Sequence, residues 1–189
     1  DSLPWDPETL NLRARINLLA RLGAVEGLTE LTDDRLLENL DEWLGPWVAG
    51  MTRLEHLKGL DLAEALLSTL TWEQRKAVDD LAPARLTVPT GSRVRLDYTS
   101  GDRPVLAVRM QEVFGLTETP TVAGGRVGVL LHLLSPAGRP LQVTDDLAGF
   151  WAGGYGAVKK EMKGRYPKHH WPDDPARAEP ARGAKKRKK

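Results

Sequence analysis

The chain contains no cysteine. That excludes a disulfide framework, thiolate zinc sites, iron–sulfur ligation and a cysteine nucleophile. It has no apolar run approaching the length of about 18 residues that reads as a membrane-spanning helix, so no membrane partner is expected. The opening residues, Asp1-Ser2-Leu3-Pro4-Trp5, carry neither an initiator methionine nor the basic and apolar regions of a signal peptide. A piece of a longer protein is the expectation. Motifs that carry chemistry are missing too: there is no G-x-x-x-x-G-K-[ST] phosphate loop, no G-x-G-x-x-G, no H-E-x-x-H and no G-x-S-x-G nucleophile elbow. The carboxylate pairs Asp33-Asp34, Asp79-Asp80 and Asp145-Asp146 sit where helix ends are expected, so capping explains them. The expectation is therefore no catalytic residue, no metal site and no cofactor within these 189 residues.

What is present is enough for a folded core: 41% of residues are apolar and 28% charged, which places the chain among globular proteins. The net charge of +1 conceals a gradient. Residues 1–83 carry 8 basic and 16 acidic side chains, residues 84–158 carry 7 and 6, and residues 159–189 carry 12 and 4. Three regions with different surfaces are implied, and the last suits a polyanion.

The first region reads as helices. Asp6-Pro7-Glu8 is a helix start, and Leu12, Ile16, Leu19 and Gly23 follow at helical spacing. Thr32-Asp33-Asp34 opens a second helix with an apolar face of Leu36, Leu37, Leu40, Trp43 and Leu44, expected to stop at Gly45-Pro46. Asp61-Leu62-Ala63-Glu64 and Thr71-Trp72-Glu73-Gln74 are capping-box patterns. A helical bundle over residues 1–84 is expected, with Trp43, Trp47 and Trp72 in its core.

Beyond Pro83 the period changes. Arg93 to Tyr98 alternates polar and apolar, with Val94 and Leu96 on one side and Arg93, Arg95 and Asp97 on the other. Pro104 to Arg109 forms a further strand, a short helix follows at Gln111, and Thr119 to Ala123 forms another strand. Val127 to Leu134 is continuously apolar and reads as a strand buried on both sides, with His132 as a hydrogen-bonded core residue. Short strands at this density predict a small barrel of the oligonucleotide-binding type over residues 85–144. Its outer rows would offer Arg93, Arg95, Tyr98, Arg103, Arg109 and Arg126 to a single-stranded nucleic acid. The alternative is that these arginines merely pair with Asp97, Asp102, Glu112 and Glu118.

Residues 145–175 read as two helices, broken at Gly153-Gly154, followed by a segment rich in proline and aromatics. Lys159, Lys160, Lys163 and Arg165 add cations that could meet phosphates. His169-His170 points in two directions on an extended chain and is not expected to hold a metal. Residues 176–189, ending Lys185-Lys186-Arg187-Lys188-Lys189, read as a disordered basic tail. The expected fold class is α+β: a helical bundle, a small barrel and a helical extension.

Several segments together carry a family resemblance. They are LTVPTGSRVRLDY at 86–98, PVLAVRMQEVFGL at 104–116, GGRV at 124–127, LLHLLSP at 130–136, QVT at 142–144, KGRYPK at 163–168 and WPDDP at 171–175. They resemble, in order, the C-terminal region of the HrpB family, bacterial ATP-dependent helicases of the DEAH/RHA group. Trp43-Leu44 and residues 61–66 (DLAEAL) resemble the part that precedes that family's barrel. The resemblance implies a cytoplasmic parent that hydrolyses ATP with Mg to act on RNA, through two RecA-like motor domains not contained here. This chain would then be an accessory part that guides single-stranded RNA beside those motor domains. A module that docks a protein partner is the second hypothesis.

Overall fold

Asp6 starts the first helix because its carboxylate satisfies two amides that the helix cannot: Oδ1 accepts from Glu8 N and Thr9 N, both at 2.8 Å. Pro7 occupies the first helical position, where no amide hydrogen is needed. The structure, a computed structural model, describes residues 3–184. The chain divides into two compact units, Asp1–Ala84 and Arg85–Lys189. No helix among the described residues is long and apolar enough to cross a membrane.

The first unit is helical: α1 (Pro7–Arg21), α2 (Asp33–Glu38), α3 (Leu40–Trp43), α4 (Gly45–Val48), a 3-10 turn (Leu54–Gly59), α5 (Leu62–Ser68) and α6 (Trp72–Leu81). Helix α1 packs on α5 and α6, burying Ile16, Leu19, Leu66 and Val78. Gly23 ends α1 with a positive φ of 56°. Thr71 and Gln74 form a reciprocal capping box at α6. Three expectations need correction. The helix expected over 32–44 is interrupted at Asn39, which separates α2 from α3. Gly45-Pro46 does not stop helical structure but begins α4, because proline's fixed φ suits a first turn. Trp43 is buried, with Nε1 donating to the Leu36 carbonyl at 2.9 Å, but Trp72 is 70% exposed. Six residues separate Trp72 from buried Val78, which turns it about 120° round α6 from the packed face.

The second unit holds β1 (Arg85–Thr87), β2 (Arg93–Asp97), β3 (Val105–Arg109), β4 (Thr121–Val122), β5 (Val127–Gly128), β6 (Leu130–Leu134) and β7 (Pro140–Thr144). The main sheet has the order β1-β2-β3-β6-β7, and β4 and β5 form a separate two-stranded ribbon. All main-sheet pairs are antiparallel except β3 with β6. The architecture is α+β with a mixed sheet, and the expected closed barrel is absent among the described residues. Strands β1 and β7 stay at opposite edges, and β1, at three residues, is too short to close a barrel. The apolar run 127–134 is also not one strand. The Val129 amide donates to the Pro120 carbonyl at 2.9 Å in the register of the β4–β5 pair, whereas the Leu130 amide donates to the Pro104 carbonyl at 2.9 Å beside β3, so the run changes partners between β5 and β6.

Beyond the sheet, α7 (Leu147–Gly149), a π-helical turn (Phe150–Gly154) and α8 (Tyr155–Arg165) run on without the break expected at Gly153-Gly154. Glycine is needed at 154 for packing: a Cβ there would meet the Phe150 ring at 2.9 Å. Phe114, Phe150, Trp151 and Tyr155 make an aromatic cluster, with centroid separations of 5.2 to 6.4 Å.

Residues 176–184 carry no helix or strand; the Ala181 amide donates to the Gln111 carbonyl at 2.9 Å and Arg182 Nη2 to the Thr90 carbonyl at 2.9 Å. The basic run at 185–189 lies outside the described residues.

Candidate nucleic-acid interface

The two faces of the main sheet differ in chemistry. Leu96, Leu106, Val108, Leu131 and Leu133 alternate onto the buried face. The intervening residues form the open face, and the register decides which of them are neighbours. Arg85 pairs with Arg95 and Thr87 with Arg93. Across the sheet, Ala107 pairs with His132 and Arg109 with Leu134, and His132 pairs with Val143. Leu96 opposes Leu106 on the buried side, so Arg93, Arg95 and Arg109 share the other side with Arg85. Carried back along β2, the same register aligns Arg93 with Arg109, although the ladder itself is confined to the 96–106 and 97–105 pairs.

The open face therefore brings four arginines together on three neighbouring strands. Arg85, Arg93 and Arg109 are exposed and Arg95 is half-buried. Among the described residues, none of the ion pairs involves Arg85, Arg93 or Arg109. Arg85 Nη1 donates to the Arg93 carbonyl at 3.4 Å, which holds its side chain along the row. One acid belongs to this face, Asp97. Partial burial alone would raise its pKa, but hydrogen bonds from Ser100 and Thr99, with the Arg95 charge, hold it below the ordinary carboxylate value. Its oxygens accept from Thr99 N at 2.8 Å, Thr99 Oγ1 at 2.6 Å and Ser100 Oγ, so the carboxylate is largely committed to the turn after β2.

The other expected contact residues do not join this cluster. Tyr98 is 6% exposed, so its ring belongs to the core and cannot stack on a base without unpacking. Arg103 is engaged by Asp145, and that hydrogen bond holds the Asp145 carboxyl below its usual range. Arg126 is in the turn between β4 and β5. On α8, Lys159 pairs with Asp173, Arg165 stands 3.5 Å from Glu161, and Lys160 and Lys163 are exposed. No described contact links these four to the sheet's open face. Burial, with the Asp173 charge, pushes the Tyr155 hydroxyl well above its ordinary value, and it donates to the Pro172 carbonyl at 2.9 Å.

His132 departs from its expected role. β6 alternates half-buried and buried residues, and His132 is half-buried on the open face rather than enclosed on both sides. Sequence reading also missed Arg85. Its signal was available: Arg85 and Thr87 alternate with Leu86, and the tight turn at Pro89–Ser92 returns the chain to place them opposite Arg95 and Arg93. Among the described residues, no cluster of three or more histidines and carboxylates could hold a metal ion.

Residues 43–175 match the family model described as ATP-dependent helicase C-terminal, HrpB_C. The chain belongs to the HrpB helicase C-terminal family. It is 48% identical over 184 residues to the ATP-dependent RNA helicase HrpB of Escherichia coli K12. That match covers 97% of this chain and 23% of the relative's length. Two solved structures agree. The crystal structure of the E. coli DExH-box NTPase HrpB superposes with a TM-score of 0.90 at 48% identity, covering 95% of this chain and 22% of that one. That of the E. coli DEAH/RHA helicase HrpB gives 0.75 at 46% identity, covering 89% and 21%. The expected family is thereby established, and the α+β architecture is that of its HrpB relatives.

Proposed function

We propose that this chain is an accessory region of an ATP-dependent RNA helicase, and that it holds single-stranded RNA along the open face of its main sheet. The observation that carries this reading is the register that gathers Arg85, Arg93, Arg95 and Arg109 on one face with a single acid, itself turned to local capping. Arginines on neighbouring strands match a polyanion better than they match one another, because like charges directly opposed across a ladder repel. Phosphates along a strand relieve that repulsion. The half-buried Leu130, His132 and Leu134, with exposed Val143, continue the same face and give bases a surface to lie on. ATP and Mg belong to the parent's RecA-like motor domains, which the region would adjoin in a cytoplasmic enzyme.

Fluorescence anisotropy with a labelled single-stranded RNA tests this directly. Four phosphate contacts predict a log–log salt slope of about −3. The Arg85→Ala, Arg93→Ala, Arg109→Ala triple variant should bring it to about −1. No binding at low salt, or an unchanged slope in the variant, would defeat the reading.

One observation favours the protein-docking alternative. Trp72, Leu37 and Leu54 of the acidic helical unit are 70%, 69% and 75% exposed. Capture from extract after nuclease treatment separates the two: partners lost with the nucleic acid exclude docking through these side chains.

A further inference from the structure

The open face changes chemistry from one edge of the sheet to the other. One cross-strand row can be followed through the whole main sheet: Arg85 opposes Arg95, Ala107 opposes His132, and His132 opposes Val143. The β2–β3 register, continued by one step from Leu96 and Leu106, sets Arg95 against Ala107. The neighbouring row runs the same way, from Thr87 and Arg93 through Arg109 to Leu134. Cations therefore hold the β1–β2 half, and Arg109 on β3 is the last of them. Strands β6 and β7 contain no lysine, arginine or acid. They present half-buried Leu130, His132 and Leu134 to this face, with Val143 51% exposed. Ala107 stands between the two halves on the central strand and is exposed, its side chain a single methyl group. Neighbouring strands are about 4.8 Å apart, so Arg95 and His132 face each other across a lane of about 10 Å. A longer side chain at 107 would stand in that lane. The one acid of the face, Asp97, opposes Val105 in the next row.

We propose that this division sets the lie of a single-stranded RNA: its phosphates follow β1 and β2, its bases point across Ala107, and one base stacks on His132. The proposal rests on the reading of the sheet face given above. It adds the side of the RNA strand that each half of the sheet holds, and it makes His132 the residue that senses a base. Arginines alone do not choose the side of the backbone on which the bases fall, but an uncharged half beside them does. A phosphate over β6 and β7 would be desolvated with no arginine or lysine of those strands to meet it. A base there gains contact with apolar side chains and with an imidazole ring, and every base has a face that can stack. His132 carries the one aromatic ring of β6 and β7. It lies in the same row as Arg85 and Arg95, so one nucleotide laid across the strands can meet both ends.

The first test needs no variant. A single-stranded RNA carrying thiouridine, whose photoreactive sulfur sits on the base, is irradiated with the 189-residue chain and the crosslinked peptides are mapped by mass spectrometry. Crosslinks should fall in residues 130–144 rather than 85–95. Crosslinks absent from 130–144, or as frequent at 85–95, overturn the proposed lie. The second test is affinity. His132→Ala should weaken an ordinary oligomer about fivefold without changing its salt slope, and should leave an abasic oligomer of the same length unaffected. His132→Phe, which keeps a ring, should restore the ordinary oligomer. Circular dichroism melting checks that each variant is folded, and the crosslinking decides should His132→Ala unfold. Equal weakening of both oligomers, or no weakening of the ordinary one, overturns the stacking contact. If the arginine triple variant flattens the salt slope while His132→Ala changes nothing, the stacking fails and the sheet reading stands. If the triple variant keeps the slope of the unaltered chain, the sheet reading fails, and the lie of the RNA with it.

Discussion

The helical unit and the sheet unit use arginine in opposite ways. In the helical unit the key arginines are structural. Arg15 is 6% exposed and donates to the Ala82 carbonyl at 2.5 Å and to Asp79 Oδ1 at 2.6 Å, tying α1 to the end of α6. Arg13 donates to the Leu31 carbonyl and to Asp33, with its guanidinium 5.5 Å from the Trp5 ring centroid. In the sheet unit Arg85, Arg93 and Arg109 stand on an open face with no carboxylate of the described residues within ion-pair distance. An arginine enclosed among carbonyls holds a fold together, and an arginine aligned with its own kind is available to a ligand. The 8 basic against 16 acidic side chains of residues 1–83 also make that unit repel phosphate.

This contrast can be broken at several points. Leu131→Asp should have the largest effect: Leu131 is fully buried in β6, and an unpaired carboxylate there costs more than about 4 kcal/mol, abolishing cooperative melting of the sheet unit. A soluble, cooperatively melting variant would contradict the two-faced sheet. Arg15→Ala comes next. It leaves the buried Ala82 carbonyl without its donor and should lower the urea stability of the helical unit by about 2–3 kcal/mol, without altering RNA affinity. Arg93→Glu with Arg95→Glu should reverse that pattern, with a near-normal melt and RNA binding weakened about tenfold, or about 1.4 kcal/mol. The matching reversal at exposed Arg53 and Lys58 of the helical unit should leave affinity alone. The smallest effect is expected at Arg103→Ala. Arg103 holds the folded-state pKa of Asp145 below the ordinary 3.8, so the contact stabilises above that value and is lost as pH falls through the depressed one. The variant should raise the Asp145 carboxyl pKa in an NMR titration and leave RNA binding unchanged.

Local chemistry was readable wherever a short pattern has one physical outcome. Asp6-Pro7 opens α1, Thr71 and Gln74 cap α6, and Leu12, Ile16 and Leu19 form a buried face as their spacing requires. The alternation of β2 correctly separated Leu96 from Arg93, and the quoted segments identified the family. The open face was only half legible. Period alone singles out Arg93, Arg95 and Arg109, and it groups Tyr98, Arg103 and Arg126 with them, because periodicity says which side of a strand a residue takes and nothing about other strands. The closed barrel failed for the same reason, since closure depends on whether distant edges meet.

Sequence alone determined the helix starts, the strand faces, the charge gradient and the kinship with HrpB helicases, because each depends on residues within a few positions or on ordered matching segments. Tertiary structure decided that Arg85 stands opposite Arg95, that His132 faces outward, that Arg103 is neutralised by Asp145 and that the segment after Trp171 lies on Gln111. Those outcomes follow from cross-strand register, one side-chain ion pair and main-chain hydrogen bonds between residues as far as 70 positions apart, as with Gln111 and Ala181. Main-chain groups are the same in every residue, so composition carries no trace of which ones will pair.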